Sequence, residues 1–251
     1  VMLHEHMYIS AHSITPRYLH LRQLPFSFPR LYLAAGATNI RTCGSIEPYS
    51  DIRIKKDIDL GLTPGPSIEL TAPYIEGKIA GFAQMKENNT PEEAAAFVNY
   101  WADQGFRSFK AYIGIDKPTL KAAIDAAHKR KLKLTAHLDA VTYREAATLG
   151  IDNLEHGFLA SSDFAEGKKE NERPATGMTI KSLSKLDIQS DSVKQFIQFL
   201  IDKKVGITSS LAVFEGSTTI QPHPNEDAIN SMSPDTRDYY LKRLVIAKSA
   251  K

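Results

Sequence analysis

Short apolar or β-branched runs alternate with longer amphipathic stretches along this chain. That alternation predicts parallel strands joined by crossover helices. Seven strand-like runs stand out, at residues 1–6, 37–42, 67–73, 106–113, 133–138, 151–156 and 205–211. Helices are legible between them. Thr90, Pro91 and Glu93 supply an N-cap, a proline at the first helical position and a capping-box glutamate, and that helix stops at Gly105. A second opens at Asp116-Lys117-Pro118 and ends near Lys131, and a third runs over 142–149 and closes at Gly150. Two more cover 191–204 and 234–250. Residues 161–179 and 215–233 fit neither pattern; both follow strands, where barrel enzymes carry binding loops.

Seven strand–helix units in 251 residues predict an α/β fold, a (β/α)8 TIM-type barrel that is incomplete. The chain starts inside the first strand and stops where an eighth would begin, so residues 1–251 read as one barrel domain truncated at both ends. The other reading is a smaller open α/β sheet, complete as it stands. In the truncated barrel the missing strand would leave the edges of strands one and seven unpaired, which promotes aggregation or pairing with another chain, so a homo-oligomer is an expectation.

Composition narrows the function. Hydrophobic residues at 42% and charged residues at 24% exclude a disordered or collagen-like chain. Lys and Arg number 31 against 29 Asp and Glu, which gives no electrostatic case for a nucleic-acid partner. Cys43, the one cysteine, forbids an internal disulfide and leaves the compartment open. No apolar run approaches a membrane span, and no signal segment opens the chain.

The candidate chemistry lies at strand ends. His4 and His6 are two apart on a strand, so both face the same side and could hold one metal ion; Glu5 points the other way. A pair of surface or core histidines is the plainer reading of His-x-His. Lys110 stands in an apolar strand, where it needs a partner or loses its charge. A neutral lysine amine reacts with carbon dioxide to a carbamate that can bridge two cations; a lysine paired to a carboxylate explains the position equally well. His137 ends the fifth strand, on the face of Lys133 and Thr135, and His156 ends the sixth, just before Gly157. Each histidine alone could be a satisfied hydrogen-bonding group. Together with Lys110 all four fall at C-terminal strand ends, the active face of a barrel, whereas His12, His20 and His128 do not.

These residues carry a resemblance. The chain resembles the amidohydrolase superfamily, and within it the imidazolonepropionase- and prolidase-like branch. His4-Glu5-His6 is similar to the family's first-strand His-x-His. Residues Gly36-Ala37-Thr38-Asn39-Ile40-Arg41-Thr42 are similar to its second strand, and Phe109-Lys110 matches the position of its carboxylated lysine. Gly150-Ile151-Asp152-Asn153-Leu154-Glu155-His156-Gly157 is the most specific string, since Gly-x-Asp-x-x-Glu-His-Gly is distinctive of the branch. The resemblance covers nearly the whole chain, but the family's eighth-strand aspartate has no counterpart downstream of His156.

The resemblance implies hydrolysis of a C–N amide-type bond in a small amide or dipeptide-like substrate, by metal-activated hydroxide. It places one divalent ion on His4 and His6 and a second on His137 and His156, bridged by carboxylated Lys110; zinc suits this ligand set, and other divalent metals could serve. In members with a single ion, Lys110 would be a bystander. The absent aspartate would have handled the proton. A phosphoesterase or lactonase could use the same centre, and without the aspartate the barrel could bind metal without turnover. A doubly wound sheet with no metal role is the remaining reading. Tyr74 and Tyr112 could contact substrate or pack with wet hydroxyls, and Cys43 could line the pocket or be a small buried residue. Residues 128–131 form a basic helix end suited to the macrodipole, and Trp101 is expected in the core.

Overall fold

The structure is a computed structural model that describes residues 1–10, 21–78, 80–215, 226–230, 232 and 234–249. His12, His20 and most of the expected loop at 215–233 lie outside the described residues. The strands are β1 (Met2–Glu5), β2 (Tyr8–Ser10), β3 (Leu21–Gln23), β4 (Asn39–Thr42), β5 (Ser67–Glu69), β6 (Ser108–Ala111), β7 (Lys133–Ala136), β8 (Asn153–Glu155) and β9 (Gly206–Thr208). The helices are α1 (Ser27–Ala34), α2 (Pro48–Asp59), α3 (Pro91–Asp103), α4 (Lys117–Lys129), α5 (Tyr143–Leu149), α6 (Met178–Leu183), α7 (Asp191–Asp202), α8 (Leu211–Glu215), α9 (Glu226–Asn230) and α10 (Pro234–Ser249).

Every strand-like run of the sequence contains one parallel strand. One sheet has the order β1-β4-β5 and a second has the order β6-β7-β8-β9. Single bridges stitch them together, Thr71 to Ser108 and Ile75 to Ala111. Backbone hydrogen bonds from Ala72 to Ser108 and from Ile75 to Lys110, each 2.9 Å, reinforce the seam. No pairing joins β9 to β1 among the described residues.

The strands are shorter than their apolar runs. The third run breaks after Glu69 because the Thr71 amide donates to the Thr42 hydroxyl at 2.9 Å instead of to a strand. Pro73, further along, has no amide to give. The seventh run stops at Thr208, and Leu211 begins α8. In β1 the register slips between Met2 and Glu5, a bulge beside His4.

The helices read from caps are where expected. Thr90 caps α3 by accepting from the Glu93 amide at 3.2 Å, but the Glu93 carboxylate accepts from Asn89, one residue before the cap. The reciprocal box instead belongs to α5, between Thr142 and Glu145. Trp101 is buried against Phe97 and Phe106, as expected of a core residue. Six elements depart from the reading. Helices α1 and α2 and the antiparallel pair β2–β3 were not legible, and α6 and α9 occupy parts of stretches expected to be irregular. In α2 only Asp51 and Ile54 are buried, too narrow an apolar stripe to show a period. Helix α1 carries Pro29 in its first turn, where a missing amide is tolerated.

Candidate metal centre

β1, β7 and β8 each deliver an imidazole to one place. His4 lies in β1 with His6 just beyond it, and their ring centroids are 5.2 Å apart. His137 follows β7 and His156 follows β8. The His4 and His156 rings are 4.5 Å apart, and those of His156 and His137 are 4.4 Å apart. The four rings therefore form one continuous row, His6, His4, His156, His137. His156 holds a left-handed backbone, with φ of 69°, and Gly157 follows at 60°. A histidine pays strain there, which is how a side chain is turned into a site against its backbone preference.

The row is electrostatically prepared to donate lone pairs. Burial lowers the pKa of every one of these imidazoles. In His156 burial and then the nearby Lys110 charge push it down to about 3. His6 and His137 lie well below the ordinary value, again through burial first and then neighbouring charge. In His4 burial outweighs the opposing hydrogen bond to Glu155. Burial thus disfavours the charged form of all four. The Nδ1 atoms of His6 and His156 are buried with no hydrogen-bond partner among the described residues. Bare ring nitrogens in a dry cluster are costly unless something accepts their lone pairs, and a divalent cation that favours imidazole does so. The residues present fit such an ion.

Lys110, on β6, is 1% exposed. Among the described residues it forms no ion pair with a carboxylate that would make it a structural lysine. Its Nζ lies 5.3 Å from the Tyr74 ring centroid and 5.8 Å from that of Tyr112. Cys43 is fully buried, and burial pushes its thiol up to about 11. Tyr74 is 3% exposed and its hydroxyl is bonded to that of Tyr8. Tyr112 is half-buried, edge-on to His137 at 5.3 Å and to Tyr74 at 4.8 Å.

The sequence reading quoted Glu155 and Arg41 inside motifs and gave neither a role. Glu155 is fully buried. One oxygen meets His4 Nδ1 at 2.7 Å. The other accepts from Arg41 at 2.8 Å, the Thr135 hydroxyl at 2.5 Å and the Asn153 amide at 3.1 Å. Burial alone would raise this carboxyl; the His4 hydrogen bond, and then the charges of Lys110, His4 and Arg41, hold it well below the usual carboxylate range. The ligand atoms of His4, Cys43 and Glu155 lie within 4.8 Å of one another. Both Glu155 oxygens are already committed, however, so this carboxylate orients His4 rather than completing a ligand set. Engaging Nδ1 leaves Nε2 of His4 free, the usual arrangement of a metal-bound histidine.

The rest of the Gly-x-Asp-x-x-Glu-His-Gly string is scaffolding. Gly150 closes α5 with φ of 95°. Asp152 binds His128 at 2.9 Å, Lys133 at 2.6 Å and the Leu134 amide at 2.9 Å, at the opposite end of the strands from the imidazoles. His128 thus stands exposed at the end of α4 with its ring nitrogen hydrogen-bonded to Asp152.

No family model and no curated protein matches the chain. Solved structures do. The fold is similar to that of a Bifidobacterium longum protein assigned as a prolidase, with a TM-score of 0.54 and 18% identity over 86% of this chain and 48% of that one. It is similar to bottromycin amidohydrolase, with a TM-score of 0.62 and 14% identity over 88% of this chain and 46% of that one. Ochratoxinase of A. niger gives 0.50 and 13%, over 87% and 52%. The chain spans about half the length of these structures. The α/β fold with parallel strands is thus shared with these structures.

Proposed function

We propose that this chain carries the metal centre of a hydrolase acting on C–N amide-type bonds of a small substrate, on a (β/α)8 barrel of which seven strands lie in this chain. The observation that carries the reading is the row of four imidazoles, two of them with buried nitrogens that have no partner among the described residues. His4, His6, His137 and His156 would hold one or two divalent ions, zinc by ligand type, and Lys110 would bridge as its carbamate if two are bound. A bound divalent ion supplies Lewis acidity and a nucleophile at neutral pH.

The chain's own residues do the rest. Glu155 fixes the tautomer and angle of His4. The aromatic wall of Tyr74 and Tyr112 borders the row and would shape the substrate's apolar part while limiting water. The test is equilibrium dialysis of the protein against zinc, followed by metal analysis and a panel of acyl-amino acids, lactones and aryl phosphates. Retention of zinc that is lost in His4→Asn and His156→Asn supports the reading, and protein that leaves dialysis metal-free sinks it. Turnover of phosphates or lactones in preference to amides would move the reaction class while keeping the centre.

A further inference from the structure

On the face that carries the imidazoles, one stretch of chain is tied down by polar contacts. Residues 167–177, between β8 and α6, read Gly-Lys-Lys-Glu-Asn-Glu-Arg-Pro-Ala-Thr-Gly. None of them is buried, and none belongs to a hydrophobic cluster. Lys168 donates to the Ala140 carbonyl at 2.8 Å, and the Asn171 side chain accepts from the Lys117 amide at 2.9 Å. Glu170 pairs with Lys117, and Arg173 pairs with Asp139 at 3.3 Å. The partners stand just past β7 and at the start of α4. The Glu170 and Arg173 side chains are 66% and 45% exposed, and ion pairs so exposed are weak and screened by salt. Both ends of the stretch are glycines in left-handed backbone, Gly167 with φ of 70° and Gly177 with φ of 76°. Glycine adopts and leaves that conformation without a steric penalty, so the chain can turn at either end.

The stretch borders a cavity of about 370 Å³. Asn171, Glu172 and Arg173 line one side of it, and Asn88, Gly114 and Thr119 line the other. That volume lies within the range of small-molecule sites. The cavity adjoins the His137 end of the row. Gly114 comes two residues after Tyr112, whose ring meets His137, and the Arg173 charge reaches both Tyr112 and His137. We propose that residues 167–177 are a lid that turns at Gly167 and Gly177 to admit a small molecule to this cavity. A segment that buries no apolar side chain and is held by exposed ion pairs opens at a small fraction of the cost of unfolding the barrel. The inference does not depend on the metal centre.

The test is the rate of thiol labelling by N-ethylmaleimide, followed at each site by mass spectrometry. Thr119 lines the cavity and is 2% exposed, so Thr119→Cys puts a thiol beneath the lid. Cys43, fully buried beside β4, reports opening of the whole fold in the same molecule. The Thr119→Cys thiol should label about tenfold faster than Cys43 or more, because the lid opens without the barrel. Raising sodium chloride from about 0.05 M to about 0.5 M should speed it further by screening the two ion pairs. Arg173→Ala removes one tie from the lid's own side and should speed it about threefold, the worth of one exposed pair, with the Cys43 rate unchanged. Asn88→Cys, on the same side of the cavity and fully buried in the parent, serves as the reporter if Thr119→Cys does not fold. A reporter rate equal to that of Cys43, or one that neither salt nor Arg173→Ala changes, would overturn the proposal.

Discussion

His4 Nδ1 and Glu155 Oε2 are 2.7 Å apart, although β1 and β8 are separated by five strand spacings in the parallel order. In a flat sheet that separation would be about 24 Å. The sheet is therefore rolled, and Glu155 is the residue that spans its interior, gripping β1 through His4 and β4 through Arg41. Glu155→Gln should leave the Arg41 guanidinium half-partnered and destabilise the fold by about 3 kcal/mol. It should also weaken zinc binding about tenfold or more through the loosened His4 ring. Urea denaturation and zinc competition measure the two, and an unchanged zinc affinity would refute the orienting role.

The imidazoles give the metal-free protein a pH signature. A histidine whose folded pKa is depressed binds its proton in the unfolded state first, so its stabilising contribution is complete above the ordinary value of 6.5 and falls as pH drops toward the folded value, about 3 for His156. Each such group contributes a slope of about 1.4 kcal/mol per pH unit in that window. Glu76 and Asp51, raised to about 7 and about 6, act in the opposite direction as pH rises through their own windows. A difference measurement removes them. His156→Asn should flatten the stability profile between pH 4 and 6 by roughly one histidine's slope; parallel profiles for variant and parent would show that His156 is not held neutral.

Asp152 and Glu155 sit three residues apart in one motif and should separate cleanly by phenotype. Asp152 ties α4, β7 and β8 at the end away from the imidazoles. Asp152→Ala should cost about 1–3 kcal/mol, chiefly from the Leu134 amide left without its acceptor, and leave zinc affinity intact. Thermal unfolding paired with zinc binding tests this, and a loss of zinc affinity would contradict the division of labour.

Gly44 has φ of +105°, and a Cβ there would lie 2.5 Å from the Tyr74 ring. Gly44→Ala should therefore cost about 1–3 kcal/mol and move Tyr74 away from the Tyr8 hydroxyl. A stability equal to the parent's, with unaltered tyrosine fluorescence, would show that the ring has another resting place.

The outer strands are exposed. Leu3 of β1 is 53% exposed and Ile207 of β9 is 46% exposed, on strands that have no further strand beside them among the described residues. This chain expressed alone should self-associate, and Ile207→Lys should reduce that association. Sedimentation velocity decides, and a monodisperse parent would sink the idea.

Much of this was written locally. Apolar runs with glycine stops mark the parallel strands, because a buried strand must be apolar throughout its short length. Thr142 and Glu145 announce the start of α5 through an interaction between near neighbours. The histidines, Lys110 and their strand-end positions could be named from spacing alone. What spacing could not supply is distance between elements. The proximity of His4 to His156 is set by how far the sheet rolls, and the lowered pKa of both rings by the burial that the roll creates. Glu155 was visible as a letter in a motif, while its hold on His4 and Arg41 exists only once β1, β4 and β8 face one another. The sequence by itself determined which residues could be strands and which could be ligands, since those depend on side-chain type and near neighbours. Only the tertiary structure decided which of them meet, because desolvation and contact are properties of packed elements far apart in the chain.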